Sequence, residues 1–83
     1  MAVKATKISD GRDIYSVTYD NSTGEGVVTA TFTNQADGNK SAYRGADDGE
    51  FIVTVAKGWS GTDTVSVDHD DGDTLDSGEV TFG

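Results

Sequence analysis

The amino-acid sequence predicts an all-β domain, an antiparallel β-sandwich or small barrel of about seven short strands. Three observations support this prediction. β-branched and aromatic residues cluster in short runs in which apolar and polar side chains alternate, as they do in half-buried strands. Glycine-rich breaks separate the runs, and four breaks contain an Asp-Gly pair, a common turn sequence. No stretch shows helical periodicity beyond a single turn.

The length and composition set the size of the fold. The chain has 83 residues, which suits a single domain over residues 1–83, with no linker or internal repeat. A domain of this size buries only about 60% of the surface that its unfolded chain exposes, so its stability should be modest. Cysteine is absent, so neither a disulfide nor a thiolate metal site adds to that stability.

Four strands are expected in the first part of the chain. Residues 2–8 alternate weakly and include two lysines, which suits an edge strand guarded against pairing with other chains. Residues 13–20 are dense in β-branched and aromatic side chains. Residues 27–34 should form a central strand, and residues 41–44 are long enough only for a short one.

The clearest strand patterns lie in the second part. Residues 51–56 and 62–68 alternate strongly and flank a corner, residues 57–61, that contains Trp59. An acidic loop is predicted over residues 70–78, before a last strand at residues 79–82. Alternation along the strands also predicts the inward-facing core residues. These are Val28, Ala30, Phe32, Phe51, Val53, Val55, Val65, Val67, Val80 and Phe82.

Two segments resemble parts of known protein families. Residues 51–67 combine a valine-rich strand, a Gly-Trp-Ser-Gly corner and the run Thr-Asp-Thr-Val-Ser-Val. They resemble the penultimate strands of immunoglobulin-like domains in bacterial surface proteins and phage virion proteins, which implies an immunoglobulin-like antiparallel β-sandwich. Residues 1–11 resemble the openings of short phage structural proteins. Together these resemblances imply a phage head decoration protein, a class that clamps the outside of an assembled capsid.

The charge of the chain limits its partners. Fifteen acidic and six basic residues give a formal net charge of -9, whereas binding to phosphate groups needs clustered lysine and arginine. We therefore expect neither nucleic acid nor an anionic membrane as a partner. No apolar run approaches the length of a membrane span, and residues 1–7 lack the long apolar core of a signal peptide. The sequence therefore predicts a soluble protein.

No arrangement of residues in the sequence indicates an enzyme or a cofactor site. Serine, histidine and aspartate all occur, but none stands in a nucleophile elbow, so we expect a non-enzymatic protein without cofactors. Residues 68–79 have acidic residues at the first, third and twelfth places of a calcium loop. However, Asp73 occupies the sixth place, where that loop needs glycine. No specific metal site is therefore expected, and a cation-responsive β-domain is kept as an alternative function.

The site that the sequence does predict is a protein-binding rim. The polar loop at residues 35–39 is the least charged rim between strands. The neighbouring residues 41–44 could supply an unpaired strand edge to a partner. The residues expected to contact the partner are Gln35, Asp37, Asn39, Ser41, Tyr43 and Arg44.

The expected partner is a capsid or other virion protein, and the chain could also form a homo-oligomer on the particle. The protein would then be made in the host cytoplasm and reside in the virion. The alternative is a stand-alone adhesive or surface immunoglobulin-like module of a bacterium or archaeon, located at the cell surface.

Overall fold

A computed structural model describes residues 3–8, 14–55 and 61–82. These residues form seven β-strands and no helix, so the prediction of an all-β fold with about seven strands is confirmed. The strands are β1 Lys4–Lys7, β2 Ile14–Thr18, β3 Val27–Asn34, β4 Lys40–Ala46, β5 Glu50–Thr54, β6 Gly61–His69 and β7 Thr74–Phe82. The predicted corner with Trp59 falls largely within residues 56–60, which lie outside this description.

The strands form two antiparallel sheets that pack as a sandwich. The three-stranded sheet has the order β1-β2-β5, and the four-stranded sheet has the order β4-β3-β6-β7. A constant immunoglobulin domain places its fourth strand beside its fifth, whereas β4 here pairs with β3. As the sequence predicts, β1 lies at an edge and β3 lies inside its sheet.

Successive loops alternate between the two ends of the sandwich, because neighbouring strands are antiparallel. The β2–β3, β4–β5 and β6–β7 loops therefore share one end, and backbone hydrogen bonds from Asp47 to Gly26 and from Asp70 to Val27 join this end together. The β3–β4 hairpin lies at the opposite end. We call the first end the acidic end, since it carries Asp20, Glu25, Asp48, Asp70, Asp71 and Asp73.

The core lies between the two sheets and follows the predicted alternation. In β3, for example, Val28, Ala30 and Phe32 are buried and the residues between them are half-buried. All the predicted core residues are buried except Val55, which is half-buried at the rim of the core. The core also includes Val3, Tyr15, Val17 and Tyr19, which the predicted list omits.

Aromatic rings connect the two sheets. Tyr15 in the three-stranded sheet meets Phe82 in the four-stranded sheet edge to face, with ring centroids 4.9 Å apart. The ring centroid of Phe32 lies 5.9 Å from that of Phe82 and 5.6 Å from that of Tyr43. Such pairs stabilise a core beyond the area that they bury. The ring of Phe32 therefore connects the ring of Phe82 in β7 to the ring of Tyr43 in β4.

β4 and β7 are each at least three residues longer than predicted. β4 spans Lys40–Ala46 and not only residues 41–44, because its backbone pairs with β3 along this whole length. β7 begins at Thr74 and pairs with β6. The predicted acidic loop over residues 70–78 is therefore wrong, and only residues 70–73 form the turn.

Asp76 explains why an acidic stretch can form a strand. Its side chain is buried, and its two carboxylate oxygens accept hydrogen bonds from the backbone N–H groups of Asp20 and Ser77, each at 2.8 Å. Hydrogen bonds of this kind offset the cost of burying a charge. The carboxylate can therefore face inward within a paired strand.

We predict that Phe32→Ala lowers the free energy of unfolding by about 3 to 5 kcal/mol, because it removes a buried ring and leaves a cavity. Chemical denaturation followed by circular dichroism measures this loss. The control is Ile52→Ala in β5, whose side chain is 58% exposed and whose truncation should cost less than about 1 kcal/mol. Equal losses in the two variants would show that the inward register of β3 is wrong.

Candidate protein-binding edge

β4 is an edge strand whose outer side pairs with no other strand of the described chain. In an antiparallel pair, the backbone groups of successive residues point alternately toward and away from the partner strand. The N–H of Asn34 donates to Asn39 O at 2.8 Å, and the N–H of Asp47 donates to Gly26 O at 3.1 Å. These two hydrogen bonds show that every second residue from Asn39 to Asp47 points its backbone groups toward β3. The backbone groups of Lys40, Ala42 and Arg44 therefore point away from β3, and we call these three residues the free edge.

The side chains of the free edge give it a local positive charge. Lys40, Ala42 and Arg44 are exposed on the outer face of the sheet, and β4 contains no acidic residue. The guanidinium of Arg44 pairs with the carboxylate of Asp70 at 2.8 Å, but the two side chains remain 64% and 45% exposed. An exposed ion pair contributes at most about 1 kcal/mol. Arg44 can therefore exchange Asp70 for a carboxylate of a partner.

A cavity of about 150 Å³ lies beside the inner face of β4. Ser41 and Tyr43 line it from β4, and Phe32 and Val53 are among the residues that line it from the rest of the two sheets. Tyr43 also bridges the sheets, because its hydroxyl donates to the backbone carbonyl of Thr54 at 3.0 Å. This side of the sandwich thus offers a partly apolar cavity next to an unpaired strand.

A buried amide and a buried carboxylate hold the hairpin that leads into β4. Asn34 Oδ1 accepts hydrogen bonds from the backbone N–H groups of Ala36 and Asp37, at 3.0 and 3.3 Å. Asn34 Nδ2 donates to Asp63 Oδ1 on β6 at 3.1 Å. Because both Asn34 and Asp63 are buried, losing this hydrogen bond would destabilise the fold. The contact therefore fixes the hairpin against β6.

Three of the predicted contact residues, Ser41, Tyr43 and Arg44, lie on β4. Ser41 and Tyr43 face the cavity, whereas Arg44 faces outward. Sequence reasoning missed Lys40 and Ala42, which complete the free edge. Strand alternation could have identified both residues, because side chains two and four positions before Arg44 lie on the same face of the strand as Arg44.

The other three predicted contact residues, Gln35, Asp37 and Asn39, lie in the hairpin turn. Gln35 Nε2 donates to Glu79 Oε2 at 2.7 Å and to Thr64 Oγ1 at 3.2 Å, so this side chain covers the outer face of β6 and β7. Asp37 Oδ1 accepts the N–H of Asn39 at 2.9 Å, which closes the turn on itself. The structure therefore does not gather these side chains at the free edge of β4.

Of the other three edge strands among the described residues, β7 has nine residues but runs beside β1, which contacts it, and β1 and β5 are shorter than β4. β1 has four residues, includes Lys4 and Lys7, and contacts β7 along the opposite side of the sandwich. β5 borders the same cavity as β4 but has only five residues, and its Glu50 carboxylate accepts a hydrogen bond from Ser16. β4 has seven residues. It is therefore the longer of the two edges beside the cavity.

Asp47, at the acidic end, is the centre of a second polar network. Its buried carboxylate accepts hydrogen bonds from Tyr19 Oη at 2.7 Å, from Thr23 Oγ1 at 2.6 Å and from the Thr23 backbone N–H at 2.9 Å. Tyr19 Oη in turn accepts the N–H of Gly49 at 3.1 Å. The network joins the β2–β3 loop to the β4–β5 loop, and it therefore anchors the chain directly after β4.

Hydrogen bonds favour the ionised form of Asp47, and burial favours the neutral form of Tyr19. Burial opposes the charge of Asp47, but the bonds from Thr23 and Tyr19 outweigh that effect and lower the pKa of Asp47 to about 2. Burial, together with the hydrogen bond to Asp47, raises the pKa of Tyr19 to about 12. Neither group therefore titrates near neutral pH.

His69 ends β6 beside this network. Its Nε2 lies 2.9 Å from Glu25 O and 3.8 Å from Asp47 Oδ2, and its Nδ1 lies 3.4 Å from Asp71 Oδ1. The Glu25 carbonyl raises the pKa of His69 against the effect of partial burial, and the nearby carboxylates act in the same direction. Gly26 has a φ of +77°, and a Cβ there would lie 2.9 Å from Nε2, so the ring position requires glycine.

The acidic turn lies within residues 68–79, whose acidic residues partly match the spacing of a calcium loop. Residues 68–79 do not form one loop, since they divide between the end of β6, the turn and β7. Within residues 3–8, 14–55 and 61–82, no group of three or more histidine, cysteine, aspartate or glutamate side chains is arranged to hold a metal ion. The same residues contain no helix long and apolar enough to cross a membrane.

Comparison with known proteins assigns no family to the chain. No family profile, curated protein or solved structure matches it. The structure establishes an antiparallel β-sandwich of seven strands, and the immunoglobulin-like and phage resemblances stay predictions from the sequence.

We predict that Asp47→Asn lowers the free energy of unfolding by about 2 to 3 kcal/mol at neutral pH, because the amide loses charge-assisted hydrogen bonds. The folded pKa of Asp47 lies below its ordinary value of 3.8. Its contribution to stability is therefore present above that value and is lost as the pH falls toward about 2. The stability difference between the two proteins should shrink accordingly in acid.

Denaturant titrations across this pH range measure the difference. Asp48→Asn is the matched control, because Asp48 is the exposed neighbour of Asp47 and its change should alter stability by less than about 0.5 kcal/mol. A difference between wild type and Asp47→Asn that does not depend on pH would contradict the assigned role of the Asp47 charge.

Proposed function

We propose that the chain is a non-enzymatic virion structural protein, a phage head decoration protein that binds the outer capsid surface through the edge of β4. The resemblances of residues 1–11 and 51–67 support the virion setting. The single observation that carries the binding role is the free edge of β4, where backbone groups of Lys40, Ala42 and Arg44 point away from β3 beside a partly apolar cavity.

Addition of a strand explains how such an edge binds a protein. The outward N–H and C=O groups can form a ladder with an extended segment of the partner, and side-chain pockets then select the sequence. The net charge of -9 supports a protein partner over nucleic acid or an anionic membrane. The same charge makes free copies repel one another, which keeps the protein dispersed before it binds.

The described side chains favour a binding role over a catalytic one. His69 has hydrogen-bond contacts with backbone groups of Glu25 and Asp71, and no serine or threonine hydroxyl of the described residues donates to it. The buried carboxylates of Asp47, Asp63 and Asp76 accept hydrogen bonds from the protein itself. They therefore hold loops and strands together and are not positioned as free acids or bases.

The test is co-sedimentation of the purified protein with phage particles prepared without it, at about 0.1 to 0.5 M salt. We predict binding throughout this range, because main-chain pairing and buried side chains are screened less than long-range attraction. Ala42→Pro should weaken binding by about tenfold or more, since it removes an outward N–H and leaves the bonds to β3 intact.

Ile52→Pro is the matched control. The N–H of Tyr19 donates to Gly49 O at 3.1 Å, and alternation from this pair points the N–H of Ile52 away from β2. Equal binding by wild type and Ala42→Pro would contradict the use of the β4 edge. Loss of binding with salt would indicate an acidic face docked on a basic platform. Absence of binding to the particle would favour the adhesive surface module.

A further inference from the structure

We infer that the partner contributes an extended segment that joins β4 as a fifth strand, with carboxylates facing Lys40 and Arg44 and an apolar side chain in the cavity beside Tyr43. This inference rests on the proposed function, because it specifies the chemistry of the partner at the same edge. Three features of β4 carry it, namely its backbone groups, the cavity and the charged side chains.

The backbone of the free edge determines how the added strand is oriented. Outward groups recur at every second residue from Lys40 to Arg44, and an extended chain has a matching repeat of donors and acceptors. Partner side chains opposite Lys40, Ala42 and Arg44 would lie on the outer face of the sheet. Those opposite Ser41 and Tyr43 would turn toward the three-stranded sheet, where the cavity lies.

The cavity determines the inward side chain of the partner. Its volume is about 150 Å³, and an apolar cavity of about that volume in another protein holds a benzene-sized group. Phe32, Val53 and Phe82 line it, and Asp63, the one carboxylate among its described lining residues, is bonded to Asn34 at 3.1 Å. A leucine or phenylalanine side chain suits this volume, and its burial is favourable.

The two cations determine the outward side chains of the partner. Lys40 and Arg44 stand four residues apart on the outer face of β4. Carboxylates on the added strand opposite these residues form cross-strand pairs of opposite charge, whereas cations there are repelled. The exposed ion pair between Arg44 and Asp70 can break at a small cost in free energy. The edge therefore selects an acidic strand, although the whole protein carries a charge of -9.

A second copy of this chain fits the edge less well. Pairing two β4 strands brings Lys40 and Arg44 of both copies to one outer face, and neither strand supplies a carboxylate. Like charges on neighbouring strands destabilise a sheet. Of the inward residues of the second copy, Ser41 and Gly45 are small, and Tyr43 already packs on Phe32 and bonds to Thr54 within its own sandwich. An acidic strand of another protein is therefore the better occupant.

An NMR titration of the isotope-labelled full chain tests this inference at about 0.15 M salt. The probe is the capped peptide Ser-Glu-Leu-Thr-Leu-Glu-Ser, which puts glutamates opposite both cations and leucines on the inner face in either strand direction. The largest amide shifts are expected at Lys40, Ala42 and Arg44. Replacing both glutamates by lysine should weaken binding about tenfold, and replacing both leucines by serine should weaken it by at least about tenfold.

The double variant Lys40→Glu with Arg44→Glu reverses the charge of the free edge. It should bind the lysine peptide more tightly than the glutamate peptide, with circular dichroism confirming that it is folded. Three results would each overturn the inference: equal affinity of the wild-type chain for the two peptides, shifts confined to other strands, and no binding at millimolar peptide.

Co-sedimentation with the particle distinguishes a failure of this inference from a failure of the proposed function. If Ala42→Pro abolishes co-sedimentation while the double charge variant binds as well as wild type, the β4 edge is the binding site and the acidic strand is wrong. If both variants lose binding, both proposals are supported. If neither variant loses binding, the proposed function fails and the inference fails with it.

Discussion

Each of the two sheets must bury one face, and this requirement controls the register of every strand pair. A strand that slips by one residue turns all its side chains to the opposite face, so the core sets the register of each pair. Phe32 faces inward in β3, and its partner Ser41 must therefore face inward in β4. The outward position of Lys40 and Arg44 follows from the same register. The chemistry of the free edge is thus a consequence of how the core packs.

Buried carboxylates complete a fold that is too small to rely on its apolar core alone. A chain of 83 residues without cysteine has little stability to spare. Asp47 joins two loops at the acidic end, Asp76 joins β7 to the loop after β2, and Asp63 holds the hairpin before β4. Both ends of β4 are therefore anchored through acidic side chains. The acidic composition contributes to structure as well as to solubility.

Much of the fold could be predicted because strand alternation is a local signal. The runs around Phe32, Phe51 and Val65 show their inward positions directly in the sequence, and the structure buries all three residues. The start of β7 could not be predicted in this way. Its acidic and glycine residues resemble a loop, and the donors that stabilise Asp76 include the backbone of Asp20, far away in the chain.

The candidate site was predictable only in part, because an edge is a property of the whole sheet. Sequence patterns marked Ser41, Tyr43 and Arg44 as a strand beside a polar loop. They did not show that Gln35 would bind Glu79 across the sheet, or that a cavity would lie between β4 and β5. Both features depend on which strands pair over long separations, and such pairing leaves no local signal.

Backbone hydrogen exchange in β4 measures whether this strand has one paired side and one side that accepts a partner. In the free protein, the amides of Ala42 and Arg44 should exchange much faster than those of Ser41 and Tyr43, which point toward β3. Binding of the partner should slow the exchange of Ala42 and Arg44 selectively. Equal protection of all four amides in the free protein, or unchanged exchange of Ala42 and Arg44 in the complex, would contradict the account.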